Sequence, residues 1–144
     1  MFQMQSLYPE ELVAPMRAEL SKAGVEELKT VEDVDKHLKE QKGTTLVIIN
    51  SVCGCAAGSA RPGAVMALGN EARPDKITTV FAGVDRDATE RARSYILGYP
   101  PSSPSMALFK DGQVVHFIPR MEIEGRYPQA IAENLKSAFN THCK

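Results

Sequence analysis

No apolar run in the 144-residue sequence approaches the roughly 20 residues needed to cross a bilayer. The longest, Leu46-Val47-Ile48-Ile49, is strand-sized. The N-terminal stretch Met1-Phe2-Gln3-Met4-Gln5-Ser6 has neither the basic nor the apolar region of a secretory signal, so the expected location is cytoplasmic. No sign of charge dominates. Seventeen basic residues face eighteen acidic ones, the formal net charge is -1, and the two signs are interspersed. The chain has no basic stripe for nucleic acid and no polybasic tract for an anionic membrane. It lacks tryptophan and has only three cysteines, Cys53, Cys55 and Cys143. A secreted domain stapled by disulfides would carry more of them, and an even number. In a reducing compartment, closely spaced cysteines more often serve metal or redox chemistry than structural bridges. No internal repeat or low-complexity linker divides the chain, and its length suits a single domain over residues 1–144. The 43% of hydrophobic residues is enough for one ordinary core.

What is present alternates in type, which favours an α/β domain. Leu12, Val13, Met16 and Leu20 recur near a 3.6 period and predict a helix over Pro9–Lys22, with Pro15 expected to kink it or delay its start. A second helix is predicted from Thr30, with Asp33 in a weak capping box and Val31, Val34 and Leu38 as its apolar stripe. Thr44–Asn50 is a continuous β-branched, apolar run, as a strand buried on both faces reads. Small residues after Cys55 can open a helix that Pro62 kinks or restarts. Further expectations are a strand at Ile77–Ala82, a helix at Asp85–Tyr95, a hairpin of Ser105–Lys110 and Gln113–Ile118 about Asp111-Gly112, and a last helix at Pro128–Phe139. Strands joined through helices favour parallel neighbours, and the hairpin adds antiparallel ones. The expected fold is therefore a mixed sheet of about four strands, with helices on both faces and extra N-terminal helices.

Cys53-Gly54-Cys55 lies between the buried strand and a helix start, where free N–H groups favour negative charge. A thiol so placed has its pKa lowered and is the better nucleophile near neutral pH. Cys53, the earlier residue and the one expected to be more exposed, is assigned as the attacking thiolate, with Cys55 as the resolving thiol. Gly54 is expected to accommodate the unusual torsions of a one-residue bridge. Such a tight ring predicts a more readily reduced, more oxidising couple than a two-residue spacing. The competing readings are a metal half-site and two inert buried cysteines. Against the metal, His37, His116 and His142 are scattered and Cys143 lies at the far terminus.

Ser103-Pro104 opens a predicted strand, and an X-Pro bond there is either an ordinary trans turn or a cis bond beside the cysteines. Asn50, Ser51 and Arg61 flank the cysteine pair. Arg61 would lower the Cys53 pKa or contact an anionic ligand, unless it is simply a solvated residue. Asp85 follows a strand end and reads as a helix N-cap, and His116 reads as structural. Cys143 is either a mobile tail thiol or a third redox cysteine.

The segment from Ser103-Pro104-Ser105 through Lys110-Asp111-Gly112 to Val115 resembles the cis-proline, strand, turn, strand segment of thioredoxins. The active site departs from theirs, with no Cys-x-x-Cys and no preceding tryptophan. A fuller match joins Asn50-Ser51-Val52-Cys53-Gly54-Cys55-Ala56-Ala57-Gly58, Ala60-Arg61-Pro62, Val80-Phe81-Ala82-Gly83, Pro101-Ser102-Ser103-Pro104-Ser105-Met106-Ala107-Leu108 and Val115-His116-Phe117-Ile118-Pro119-Arg120 with Glu122-Ile123-Glu124-Gly125. These motifs, which run to the terminal His142-Cys143, are similar to the bacilliredoxin family. The resemblance implies a thioredoxin-like fold, a cis Pro104 and removal of bacillithiol from S-bacillithiolated client proteins. Cys53 and Cys55 would be catalytic, and Gly54, Ser103, Pro104 and Arg61 would contact substrate. Bacillithiol would be the thiol co-substrate, with no tightly bound cofactor, no metal, no nucleic acid and no membrane partner. The alternatives are a general disulfide reductase or isomerase, and a metal-binding or redox-sensing module without turnover.

Overall fold

The computed structural model describes residues 4–143, so Met1 to Gln3 of the N-terminal stretch and Lys144 lie outside the described residues. Strand β2 (Thr44–Asn50) is buried at all seven positions, as its unbroken apolar run requires. Around it the sheet is ordered β1-β3-β2-β4-β5, with β1 Glu26–Glu27, β3 Lys76–Phe81, β4 Ser105–Lys110 and β5 Gln113–Ile118. β1 and β2 run parallel to β3, while β4 is antiparallel to both β2 and β5. The sheet thus has five strands rather than about four. The extra one, β1, is a two-residue charged edge strand with no hydrophobic alternation to announce it. Asp111 (φ 49°) and Gly112 (φ 83°) form the tight turn of the β4–β5 hairpin.

Five helices cover both faces: α1 Glu10–Ser21, α2 Val31–Leu38, α3 Arg61–Ala67, α4 Arg86–Tyr95 and α5 Pro128–His142. Leu46 and Ile48 of β2 pack with Leu20, Ala64, Ile131, Leu135 and Phe139 of α1, α3 and α5. Val47 and Ile49 point the other way, into a core with Val34 and Leu38 of α2 and Ala88 and Ala92 of α4. Successive residues of one strand therefore serve two cores. α3 lies so close to α5 that a Cβ on Gly63 would come within 2.6 Å of Ile131 Cβ, so only glycine fits.

Helix α1 begins at Glu10 and runs through Pro15 without a delayed start. The carbonyl that the missing N–H leaves free belongs to Glu11, which is exposed and can be solvated. Leu12 is exposed, and the buried positions are Val13, Arg17 and Leu20. Arg17 is held by a bidentate pair to Asp85 (2.6 and 3.0 Å) and by Glu10 at 3.1 Å, and it stacks over Phe81. The Asp85 and Glu10 carboxylates push its pKa further up. Asp85 stands at the N-cap of α4, but its side chain makes no cap hydrogen bond and is spent on Arg17. At α2 the Asp33 N–H donates to Thr30 Oγ1 at 3.0 Å, the expected half of a capping box. The Asp33 carboxylate accepts instead from Lys29 N–H, one residue before the cap.

Cys143 is neither a mobile tail nor a neighbour of the other two cysteines. α5 extends past Phe139 to His142, and Cys143 caps it, half-buried against the core on the α3–α5 side. It lies by Thr44, at the opposite end of β2 from Cys53, and a seven-residue strand spans ~20 Å. Burial raises its thiol pKa.

Two outcomes follow from these placements. Arg17→Met leaves the Asp85 carboxylate without its partner and lowers stability by about 3 kcal/mol in urea unfolding at neutral pH, and adding Asp85→Asn recovers part of the loss. In the reduced protein Cys143 is alkylated by iodoacetamide at least ~10-fold more slowly than Cys53 at neutral pH, by peptide mass mapping, and the gap narrows as pH rises.

Candidate active site

Beyond Asn50 the chain leaves β2 and turns sharply into a helical segment. Gly54 and Cys55 are already helical, Ala56–Ala60 form a π-helical turn, and α3 follows with Pro62 in its first turn. Pro62 lacks an N–H, and the π-helical turn just before it is where the continuous helical run accommodates that loss. Cys53 stands just before the first helical residue, and its carbonyl accepts from the N–H groups of Ala56 (3.0 Å) and Ala57 (3.3 Å). The segment's first N–H groups therefore lie beside the dithiol.

Cys53 and Cys55 are joined as a disulfide with Cα atoms 5.4 Å apart. Both are half-buried, so exposure does not rank them as expected, whereas Gly54 between them is exposed. Gly54 is not among the glycines with positive φ, so the unusual torsions expected of it are absent. What it provides is space, since a Cβ there would meet no atom within 4 Å. The bridge is thus open to approach over Gly54.

The corner before Cys53 is tied down from within. Ser51 N–H donates to Asn50 Oδ1 at 2.8 Å, and Cys53 N–H donates to Ser51 Oγ at 3.1 Å. Arg61 Nη1 donates to Asn50 Oδ1 (2.9 Å) and to Ser51 O (2.8 Å). Arg61 is 1% exposed. It is neither a solvated residue nor free to grip an anionic ligand, because its guanidinium is turned inward onto the corner. Sequence reading found Asn50, Ser51 and Arg61 by adjacency, but not which way Arg61 points.

The Ser103–Pro104 bond is cis and Pro104 is buried. The β2–β4 register pairs Ile49 with Ser105, and its continuation brings Pro104 opposite Asn50. The sheet thus draws residues 50 and 104 together at the end of β2, three residues before Cys53. Two arginines outside the candidate site residues, Arg93 and Arg120, fasten this loop. Arg93 Nη2 donates to Ser102 O at 3.4 Å. Arg120 donates from Nη1 to Ser103 O (3.3 Å) and from its backbone N–H to Ser102 Oγ (3.3 Å), and it pairs with Glu124 at 2.8 Å. Tyr99 stacks on Phe117 with ring centroids 4.5 Å apart. Next to them opens a cleft of about 520 Å³, walled mainly by Tyr99, Pro100, Pro101, Phe117, Pro119 and Met121.

The other polar candidates lie elsewhere. His116 Nε2 contacts Asn134 Oδ1 at 2.6 Å, a structural tie between β5 and α5. His37 bonds the Asp33 carbonyl and lies 3.0 Å from Glu26. Among the described residues, no three His, Cys, Asp or Glu side chains gather in a metal-binding arrangement. No described helix is long and apolar enough to cross a membrane.

A strand ending at a dithiol, a helix starting there and a cis-proline loop alongside are shared with known proteins. A family model described as disulphide isomerase matches residues 8–143. A bacilliredoxin of Halalkalibacterium halodurans is 53% identical over 137 residues, covering 95% of each chain. A second, from Shouchella clausii, is 56% identical over 137 residues, covering 95% of this chain and 94% of the relative. Among solved structures, a thioredoxin of Malassezia sympodialis superposes with a TM-score of 0.58 at 13% identity, covering 84% of this chain and 92% of the other, which establishes the thioredoxin-like fold. The chain therefore belongs to the disulphide isomerase family, its curated relatives are bacilliredoxins, and it is a thiol–disulfide oxidoreductase.

Proposed function

We propose that the protein removes bacillithiol from S-bacillithiolated client proteins in the cytoplasm, with Cys53 as nucleophile and Cys55 as resolving thiol. The observation that carries this is the dithiol at the start of the helical segment, open over Gly54 and flanked by the cis-proline loop. The names of the relatives support the choice of thiol.

In the first step the Cys53 thiolate attacks the bacillithiol sulfur of the client's mixed disulfide. A new S–S bond forms between Cys53 and bacillithiol, the client S–S bond breaks, and the client sulfur leaves as thiolate and takes a proton from water. The N–H dipoles at the helix start favour the attacking anion. In the second step the Cys55 thiolate attacks the Cys53 sulfur. Bacillithiol leaves as a thiolate, and the Cys53–Cys55 disulfide forms. Two electrons from an external thiol reductant then return the pair to the dithiol. Exposed Gly54 leaves room for the small thiol, and the loop carrying Ser103 and cis Pro104 is suited to align the client chain. No direct substrate contact is assigned to Arg61.

The description of the matched family favours a second reading, isomerisation of protein disulfides. Residue placement weighs against it, because the third cysteine lies at the far end of β2.

Release of free bacillithiol from a bacillithiolated client separates these readings. Cys53→Ala loses at least ~100-fold in release rate, whereas Cys55→Ala completes one transfer and stalls as a mixed disulfide. A Cys53→Ala variant as fast as the parent contradicts the mechanism. Refolding of a scrambled-disulfide substrate faster than bacillithiol release favours the isomerase.

A further inference from the structure

Arg61 heads the largest side chains that the described residues bury almost completely. Removing a guanidinium from water is costly unless its charge is answered. The answer here is lopsided. Two of its contacts, Asn50 Oδ1 and Ser51 O, are neutral acceptors. The third is Glu19 of α1, whose Oε2 lies 3.1 Å from Arg61 Nε, within ion-pair distance but without hydrogen-bond geometry. Glu19 is 45% exposed, so water screens its share of the pair. α5 and the π-helical turn also pack on α3, and among the described residues they place no carboxylate within ion-pair distance of the guanidinium. The charge of Arg61 is thus only partly answered at a buried position. It is hydrogen-bonded to the carbonyl of Ser51, two residues before Cys53.

We propose that Arg61 is a positioning residue for the dithiol. It holds the Asn50–Ser51 corner that receives the Cys53 N–H, and its buried charge favours the thiolate. Glu19 trims that charge from the adjoining helix. The proposal rests on Cys53 being the attacking thiol, and it adds a control by charge that the thiol's own helix start does not supply. A buried cation acts on a nearby thiolate through low-dielectric surroundings, so its influence is large for its distance. A partly solvated carboxylate on the same cation acts in the opposite sense. The two side chains therefore shift the thiol titration in opposite directions, which a purely structural role for either would not do.

The test is the pH dependence of iodoacetamide alkylation in the reduced protein, with the modified cysteine identified by peptide mass mapping. Glu19→Gln lowers the titration midpoint of Cys53 by roughly half a pH unit. Arg61→Met raises it by about one unit, and Arg61→Lys, which keeps the charge, restores most of that rise. An unchanged or raised midpoint in Glu19→Gln overturns the proposal, as does Arg61→Lys titrating like Arg61→Met. Should Arg61→Met fail to fold, the Glu19→Gln midpoint decides alone, because that residue is half-exposed and its replacement leaves the core intact. If the first thiol to titrate maps to Cys55, the nucleophile assignment above fails, while the opposite shifts on that thiol still decide the role of Arg61.

Discussion

β2 must be apolar on both faces, and most of the architecture answers that requirement. Leu46 and Ile48 need a layer on one side and Val47 and Ile49 a layer on the other, so α1, α3 and α5 cover one face and α2 and α4 the other. A strand enclosed in this way cannot continue past the core without meeting water. It ends at Asn50, and the first residues beyond it are the ones that can be both held by the core and open to solvent. Cys53 and Cys55 occupy that margin. Their reactivity and their rigidity have one origin, since the same strand end that exposes them also anchors the corner behind them.

The second half of the site comes from the opposite direction along the sheet. β4 runs antiparallel to β2, so its beginning and the end of β2 meet at one end of the sheet. The cis Ser103–Pro104 bond sits there because of that register, although it is about fifty residues from the cysteines and shares no sequence motif with them. Arg93 and Arg120 then fasten the loop through the carbonyls of Ser102 and Ser103. With these carbonyls bonded, the loop loses freedom, and a partner chain meets a preformed surface rather than a flexible one.

Elements whose pattern is local were legible in the sequence. β2, the β4–β5 hairpin and α5 carry their own signals: an unbroken apolar run, Asp111-Gly112, and Pro128 before a 3.6-period face. The cysteine pair and the cis proline were legible as motifs, and the family resemblance joined them. The charged interior was not. Arg17 and Arg61 look like surface residues in a sequence, and only the fold brings Asp85, Glu19, Asn50 and Ser51 to them. β1 was missed because two glutamates on an edge need no apolar pattern when their strand is defined by backbone pairing to Thr78 and Thr79. Gly54 contributes an uncovered face rather than torsional freedom, which its neighbours in sequence do not show. Cys143 stands far from the pair in sequence, and only the length of α5 carries it back over the core to Thr44.

A thiol exchange centre at the end of β2 is the central claim, and trapping it tests the claim most directly. The Cys55→Ser variant, exposed to a bacillithiolated client and then digested, is predicted to carry one bacillithiol on the peptide containing Cys53, with the client thiol freed in equal amount. An adduct on Cys143, or a client that keeps its bacillithiol while Cys53 remains reduced, would contradict it.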